Sequence, residues 1–185
     1  TIPGMTIINP ADDVEARAAV KAAAAFEGPI YLRFGRLAAP IFNDPATYTF
    51  TLGKGITLKE GSDVTIVATG LMVSEALEAA KRLEADGISA RVLNIHTIKP
   101  LDTELICRAA QETGLLVTVE EHSIIGGLGA AVAEAVTSCC PVPVVRIGVN
   151  DVYGYSGPAV DLLKEFGLCK ENIVDTVKEA MAKKH

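Results

Sequence analysis

The sequence predicts an α/β fold: a mostly parallel, twisted sheet with helices on both faces, preceded by a partial βαβ unit. Three observations predict it. From Asp63 onward, short Val/Ile-rich runs alternate with stretches of helical period, the pattern of parallel strands joined by crossover helices. Those runs are near-continuously apolar, as in strands covered on both faces. Upstream lies one strand–helix–strand set, too small to bury its own faces.

Taken in order, MTII (5–8) reads as a short buried strand. NPADDVEARAAVKAAAAF comes next as a helix. Asn9 or Asp12 can cap it, and acidic residues load its first turn, where the helix dipole favours them. Gly28-Pro29 stops it, and PIYLRF returns as a strand. APIFNDPATYTFTLGKG (39–55) has no helical period and reads as a linker.

The regular alternation then begins. VTIVAT (64–69) is a strand, and MVSEALEAAKRLEADG is a helix closed by Gly87. SARVLNI (89–95) is a strand, and Asp102 caps a helix running to about Glu112. LLVTVE (115–120) is a strand, with a helix through the 130s after it. VPVVRIGV (142–149) is the last strand, and helices at about 158–166 and 170–183 finish the chain. Ser156-Gly157-Pro158 reads as a helix start, with Ser as cap and Pro in the first turn.

The bulk numbers bound the function. A chain of 185 residues, 49% of them hydrophobic, is long enough for one ordinary domain plus a remnant. The net charge of −6 gives no broad basic surface for nucleic acid. No apolar run approaches the ~18 residues that a membrane span requires, and no signal-peptide pattern opens the chain. The first residue is Thr1 and the sequence is strand-like almost at once, so the expectation is a start inside a larger polypeptide or after processing. Cys107, Cys139, Cys140 and Cys169 form no C-x-x-C pair, and neighbouring Cys139 and Cys140 are poorly placed to bridge each other. The expectation is reduced thiols in a cytoplasmic protein, with no metal held by them.

Several segments carry potential chemistry. In GGLGAAV, Gly126, Gly127 and Gly129 follow the outline of a dinucleotide loop, with Asp151 at a later strand end. Reading from Gly127, however, the position that should be Gly or Ala is Val132. The alternative is a glycine turn that lets a helix start tightly against the sheet. Glu120, Glu121 and His122 end a strand, where α/β domains place function. Neighbouring carboxylates on a strand point to opposite faces, so Glu120 and Glu121 are poorly set to share a proton. His122 is a general base, a residue that bonds loop backbone and holds the turn, or part of a subunit contact. His96 in NIHTIKPLD ends another strand, ahead of the Lys99–Asp102 loop. Arg33 and Arg36 flank a strand end in YLRFGRLA, where a guanidinium can hold a phosphate or carboxylate, or make a boundary ion pair.

Six segments in order resemble the C-terminal part of transketolases. They are PGMTIINPADDVEA, GPIYLRFGR, DVTIVATGLMVSEALEAAKRL, GISARVLNIHTIKPLD, TVEEHSIIGGLGAAVAEAV and DVYGYSGPAVDLL. The form is most similar to the separately encoded C-terminal section of microbial split transketolases. Related layouts occur in 1-deoxyxylulose-5-phosphate synthase and in the β subunits of 2-oxoacid dehydrogenases.

The resemblance implies an assembly dependent on thiamine diphosphate and Mg2+ (or Ca2+), moving a two-carbon ketol unit between sugar phosphates. Residues 1–38 would be the end of a pyrimidine-binding domain, 39–54 a linker and 55–185 the C-terminal domain. The family's diphosphate and metal signature, G-D-G with a downstream Asn, is absent from this sequence. The family's activating glutamate, stacking aromatic and catalytic histidines precede this segment. No catalytic or cofactor residue is therefore carried over, and the chain alone is expected to be inactive. Arg36 falls where the family places an arginine on the substrate phosphate, with Arg33 as fallback. The usual Ser before it and Gln after it are Gly35 and Leu37 here. Glu121, His122, Gly126, Gly127 and Gly129 are expected to form a scaffold turn or a regulatory-ligand site. Implied partners are an N-terminal transketolase section and a second copy through the C-terminal domain. The rival readings are a stand-alone dimerisation or regulatory module, or the matching part of one of the two related enzymes.

Overall fold

A computed structural model describes residues 2–183 of the chain. Thr1, on which the expectation of an internal start rests, lies outside the described residues, as do residues 184–185.

The first unit is β1 (Thr6–Ile8), α1 (Asp13–Ala25) and β2 (Ile30–Leu32), with β1 and β2 parallel. Of the two expected caps, Asp12 serves α1: its Oδ1 accepts the Glu15 amide at 2.9 Å. Residues 39–54 form neither helix nor strand. They are strapped down along their length all the same. Asp12 Oδ2 accepts the amides of Phe42 and Asn43 at 3.1 and 2.9 Å. The Tyr48 hydroxyl donates to Glu15, and the Phe50 ring lies 4.3 Å from that of His96.

The main sheet contains β3 (Ile56–Lys59), β4 (Val64–Ala68), β5 (Ala90–Asn94), β7 (Leu116–Ser123) and β8 (Val144–Val149), in the order β3-β5-β4-β7-β8. All neighbours are parallel except β3, which runs antiparallel to β5. Between β5 and β7 the chain makes β6 (Thr97–Lys99), which leaves this sheet and pairs antiparallel with β1. A three-stranded sheet β2-β1-β6 results, built from segments distant in sequence, and it ties the first unit to the larger domain.

Helices cover both faces of the main sheet, as the apolar runs require. On one face α2 (Met72–Ala85) and α6 (Lys170–Lys183) bury Met72, Leu83, Ile173 and Val177 against Val64, Ile66 and Val117. On the other, α3 (Thr103–Thr113) and α4 (Leu128–Cys139) bury Ile106, Leu128 and Val132 against Val67, Leu93 and Leu116. Successive residues of β4 thus feed opposite cores, which is why the strand shows no polar alternation. Each fully buried Leu or Ile contributes about 1.5–3 kcal/mol. No helix among the described residues is long and apolar enough to cross a membrane.

Two expectations are corrected. Cys107 and Cys139 are not free thiols: they form a disulfide joining α3 to α4, with Cα atoms 6.1 Å apart. The sequence concealed it because the 32-residue spacing matches no motif, and only helix packing brings the pair together. Cys140 and Cys169 are free. The short α5 (Ala159–Glu165) starts after Pro158, with no side-chain cap from Ser156.

Candidate substrate-anion site

The carboxyl ends of β2 and β7 converge, and the candidate residues gather there. Arg33 follows β2 directly. Its backbone amide donates to the Ile8 carbonyl at 2.9 Å, extending the β1–β2 pairing. Its guanidinium Nη2 donates to the Glu121 carbonyl at 2.7 Å and lies 3.8 Å from the Glu121 carboxylate. Arg33 is thereby committed to β7. Arg36, three residues on, is exposed, and among the described residues it has no hydrogen-bond or ion-pair partner. It faces a cavity of about 540 Å³ whose lining includes Glu121, Val149, Tyr155 and Phe166. Glu121 also lines a smaller cavity, about 110 Å³, with Arg33, His122, Gly126 and Gly127. One carboxylate therefore borders both cavities and offsets the charge of Arg33.

Glu120 engages the start of α4 instead. It is 2% exposed. Its Oε2 accepts the Leu128 amide at 2.6 Å, and its Oε1 accepts the Gly129 amide at 2.8 Å. These amides are unsatisfied donors of the first turn of α4, which has no side-chain cap at Gly127. A buried carboxylate on a strand thus serves as the cap, and the positive end of the helix favours its charge.

The glycines follow from this geometry. Gly126 has φ +75°, a conformation that side chains disfavour. A Cβ on Gly127 would run into the Glu120 carboxylate, and one on Gly129 would lie 2.7 Å from Thr118 Oγ1. Gly129 is buried within α4 and lines neither cavity. Val132, the departure from the dinucleotide pattern, is fully buried against the sheet. His122 is exposed, and its Nδ1–H donates to the Ser123 carbonyl at 2.9 Å.

His96 is not brought to this site. It is fully buried beside Phe50, with Nδ1 2.9 Å from Thr97 Oγ1, and burial lowers its pKa to about 4.

Sequence reasoning missed a buried polar cluster nearby. Glu15, one of the acidic residues that load the first turn of α1, is 0% exposed. Its Oε2 accepts the Ala11 amide at 2.7 Å, and its Oε1 accepts from Asn94 at 2.9 Å and from Tyr48. Burial raises its pKa, and burial together with the nearby Glu15 charge raises that of Tyr48. The partners sit 33 and 79 residues away, so no local pattern signals them. Tyr155 was also missed, although the aromatic-rich run VYGYSG was a usable hint.

Among the described residues, no three His, Cys, Asp or Glu side chains are grouped so as to hold a metal ion.

Residues 53–173 match the family of the transketolase C-terminal domain. The chain is 47% identical over 184 residues to a 6-deoxy-6-sulfo-D-fructose transketolase subunit of Clostridium sp. (strain MSTE9), covering 100% of this chain and 57% of that one. It is 43% identical over 183 residues to an apulose-4-phosphate transketolase subunit of Phocaeicola vulgatus, covering 99% of this chain and 58% of that one. It is 41% identical over 183 residues to a 1-deoxy-D-xylulose-5-phosphate synthase of Heliobacterium modesticaldum, of which it spans 28%. Among solved structures it is similar to a split gene transketolase described as an inactive beta4 tetramer. The TM-score is 0.93 at 48% identity, covering 100% of this chain and 60% of that one. A transketolase mutant from Pichia stipitis gives a TM-score of 0.72 at 26% identity, covering 97% of this chain and 25% of that one. The chain thus spans little more than half the length of the transketolase subunits it matches.

Proposed function

The chain belongs to the transketolase C-terminal domain family, and on that premise we propose that it is the carboxyl-terminal portion of a thiamine diphosphate-dependent transketolase. The whole enzyme moves a two-carbon ketol unit between sugars that carry a terminal anion. This portion supplies structural walls and one cationic contact, and it is inactive by itself.

The residues present do not fit the cofactor. The sequence lacks the G-D-G and Asn signature, and the described residues offer no group of metal-ligating side chains. Thiamine diphosphate and its Mg2+ (or Ca2+) therefore belong to an N-terminal section, and no step of the reaction is assigned to them on this chain.

The observation that carries the reading is the contrast between the two arginines. Arg33 is tied to Glu121, whereas Arg36, without a partner among the described residues, lies at the edge of a cavity. A guanidinium offers a planar fork to tetrahedral oxyanions. The names of the relatives fit that chemistry, one substrate bearing a sulfo group and another a phosphate.

The need for an N-terminal section is supported by the first unit. β2 is an outer strand of a parallel pair, with Tyr31 54% exposed, and Val20 and Phe34 are also uncovered. Parallel sheets are normally covered on both faces. The inactive beta4 tetramer of the similar structure supports both self-association and inertness without a partner section.

A second reading follows from the 41% identity to a 1-deoxy-D-xylulose-5-phosphate synthase. One experiment addresses both. The chain is assayed for ketol transfer with thiamine diphosphate and Mg2+, alone and mixed with the N-terminal section. Transfer by the mixture only is expected. Robust turnover by this chain alone overturns the proposal, and formation of 1-deoxy-D-xylulose-5-phosphate in place of ketol transfer favours the second reading.

A further inference from the structure

We propose that Cys107 and Cys139 form a reversible thiol–disulfide site, a covalent clamp between α3 and α4 that a dithiol reductant opens without unfolding the chain. The bond lies in the wall of a cleft of about 760 Å³, between these two helices and the β1–β6 strands. Ile7, Ile98, Leu101 and Ala131 line the same cleft.

The bond is accessible. Cys139 is the last residue of α4 and is exposed, while Cys107 is half-buried. An incoming thiolate can reach the Cys139 sulfur, and exposed disulfides are the labile ones. The helices, moreover, do not need the bond to stay packed. Beneath it Ile106, Ala109, Ala110, Val132 and Val136 are all buried in one apolar cluster. Finally, the bond acts on a weakly secured helix end. α4 has no basic residue in its last turn, and Thr137 and Ser138 turn their hydroxyls back to the Ala133 and Glu134 carbonyls. Opening the clamp frees that turn and one wall of the cleft.

The step balances by thiol–disulfide exchange. A thiolate of the dithiol attacks Cys139 Sγ, the Cys107–Cys139 bond breaks, and Cys107 leaves as a thiolate and takes a proton. The second thiol of the reductant then displaces Cys139, which also leaves as a thiolate and is protonated. Two electrons pass from the dithiol, which becomes a cyclic disulfide, and the oxidised dithiol reverses the sequence.

Cys140 and Cys169 are free and serve as internal references. The full chain is equilibrated at graded ratios of reduced to oxidised dithiothreitol, quenched with an alkylating agent and mapped by mass spectrometry. Cys107 and Cys139 are expected to become reactive together, at one midpoint. Reduction should lower Tm by about 5–10 °C, leave the far-ultraviolet circular dichroism unchanged and reverse on reoxidation. Cys107→Ser should abolish the Tm shift and Cys140→Ser should keep it. Alkylation of the pair at every ratio, retention of the bond until denaturant is added, or separate midpoints for the two cysteines would each overturn the proposal. The titration of the unmodified chain decides the matter even if a variant fails to fold.

Discussion

Glu120 fills the space that a side chain on Gly127 would need, and from that place it caps α4 through the amides of Leu128 and Gly129. Gly127→Ala should therefore displace the carboxylate and strip two charge-assisted bonds from the first turn of α4. A loss of about 3 kcal/mol is expected, read by urea unfolding. A loss below about 0.5 kcal/mol would mean that the turn re-forms by other means.

Glu15 carries the second prediction. Its carboxyl, buried among Ala11, Tyr48 and Asn94, has a raised pKa in the folded chain, chiefly from burial. A raised folded pKa favours folding while the group is protonated. The benefit is full below the ordinary value of 4.5 and is lost as pH rises through the folded pKa. Comparison with Glu15→Gln cancels the other titrations. The advantage of the native chain over the variant should be largest near pH 4 and smaller at pH 7, in urea melts at both. A pH-independent difference would contradict the raised pKa.

His96 behaves in the opposite sense. Burial lowers its pKa from 6.5 to about 4, so the folded chain holds it neutral. That contribution is present above pH 6.5 and is lost as pH falls toward 4, up to about 3 kcal/mol in total. Nitrogen chemical shifts of the His96 ring should show a neutral imidazole at pH 5.5. A midpoint above pH 6 would contradict the burial argument.

Much of this architecture was legible in the sequence, because five- to eight-residue Val/Ile runs and Ala/Leu helices carry their own signal. β3 and β6 were not, since ITLK and TIK form no apolar run of their own, unlike MTII and PIYLRF, and their partners β5 and β1 lie far away in sequence. The Arg33–Arg36 cluster and the EEHSIIGGLG turn could be picked out by residue type. That Glu120 caps α4, that Glu121 engages Arg33, and that Glu15 is buried all depend on side-chain directions set by tertiary packing. The Cys107–Cys139 bond escaped for the same reason, being a product of how α3 lies against α4.

The two arginines should separate in the reconstituted enzyme. Arg36→Ala should leave Tm unchanged and raise KM for the anionic sugar about ten- to hundred-fold, the loss of one charge-assisted pair worth roughly 1.5–3 kcal/mol. Arg33→Ala should lower Tm, because it breaks the bond to the Glu121 carbonyl. An unchanged KM for Arg36→Ala would move the anion contact elsewhere.

Under the proposed function, this chain shapes and steadies a thiamine enzyme without gripping the cofactor. Calorimetric titration of thiamine diphosphate with Mg2+ tests it most directly, first into the chain alone and then into the chain mixed with its N-terminal section. No saturable heat is expected from the chain alone, and stoichiometric binding is expected from the mixture. Tight one-to-one uptake by the chain alone would contradict the claim.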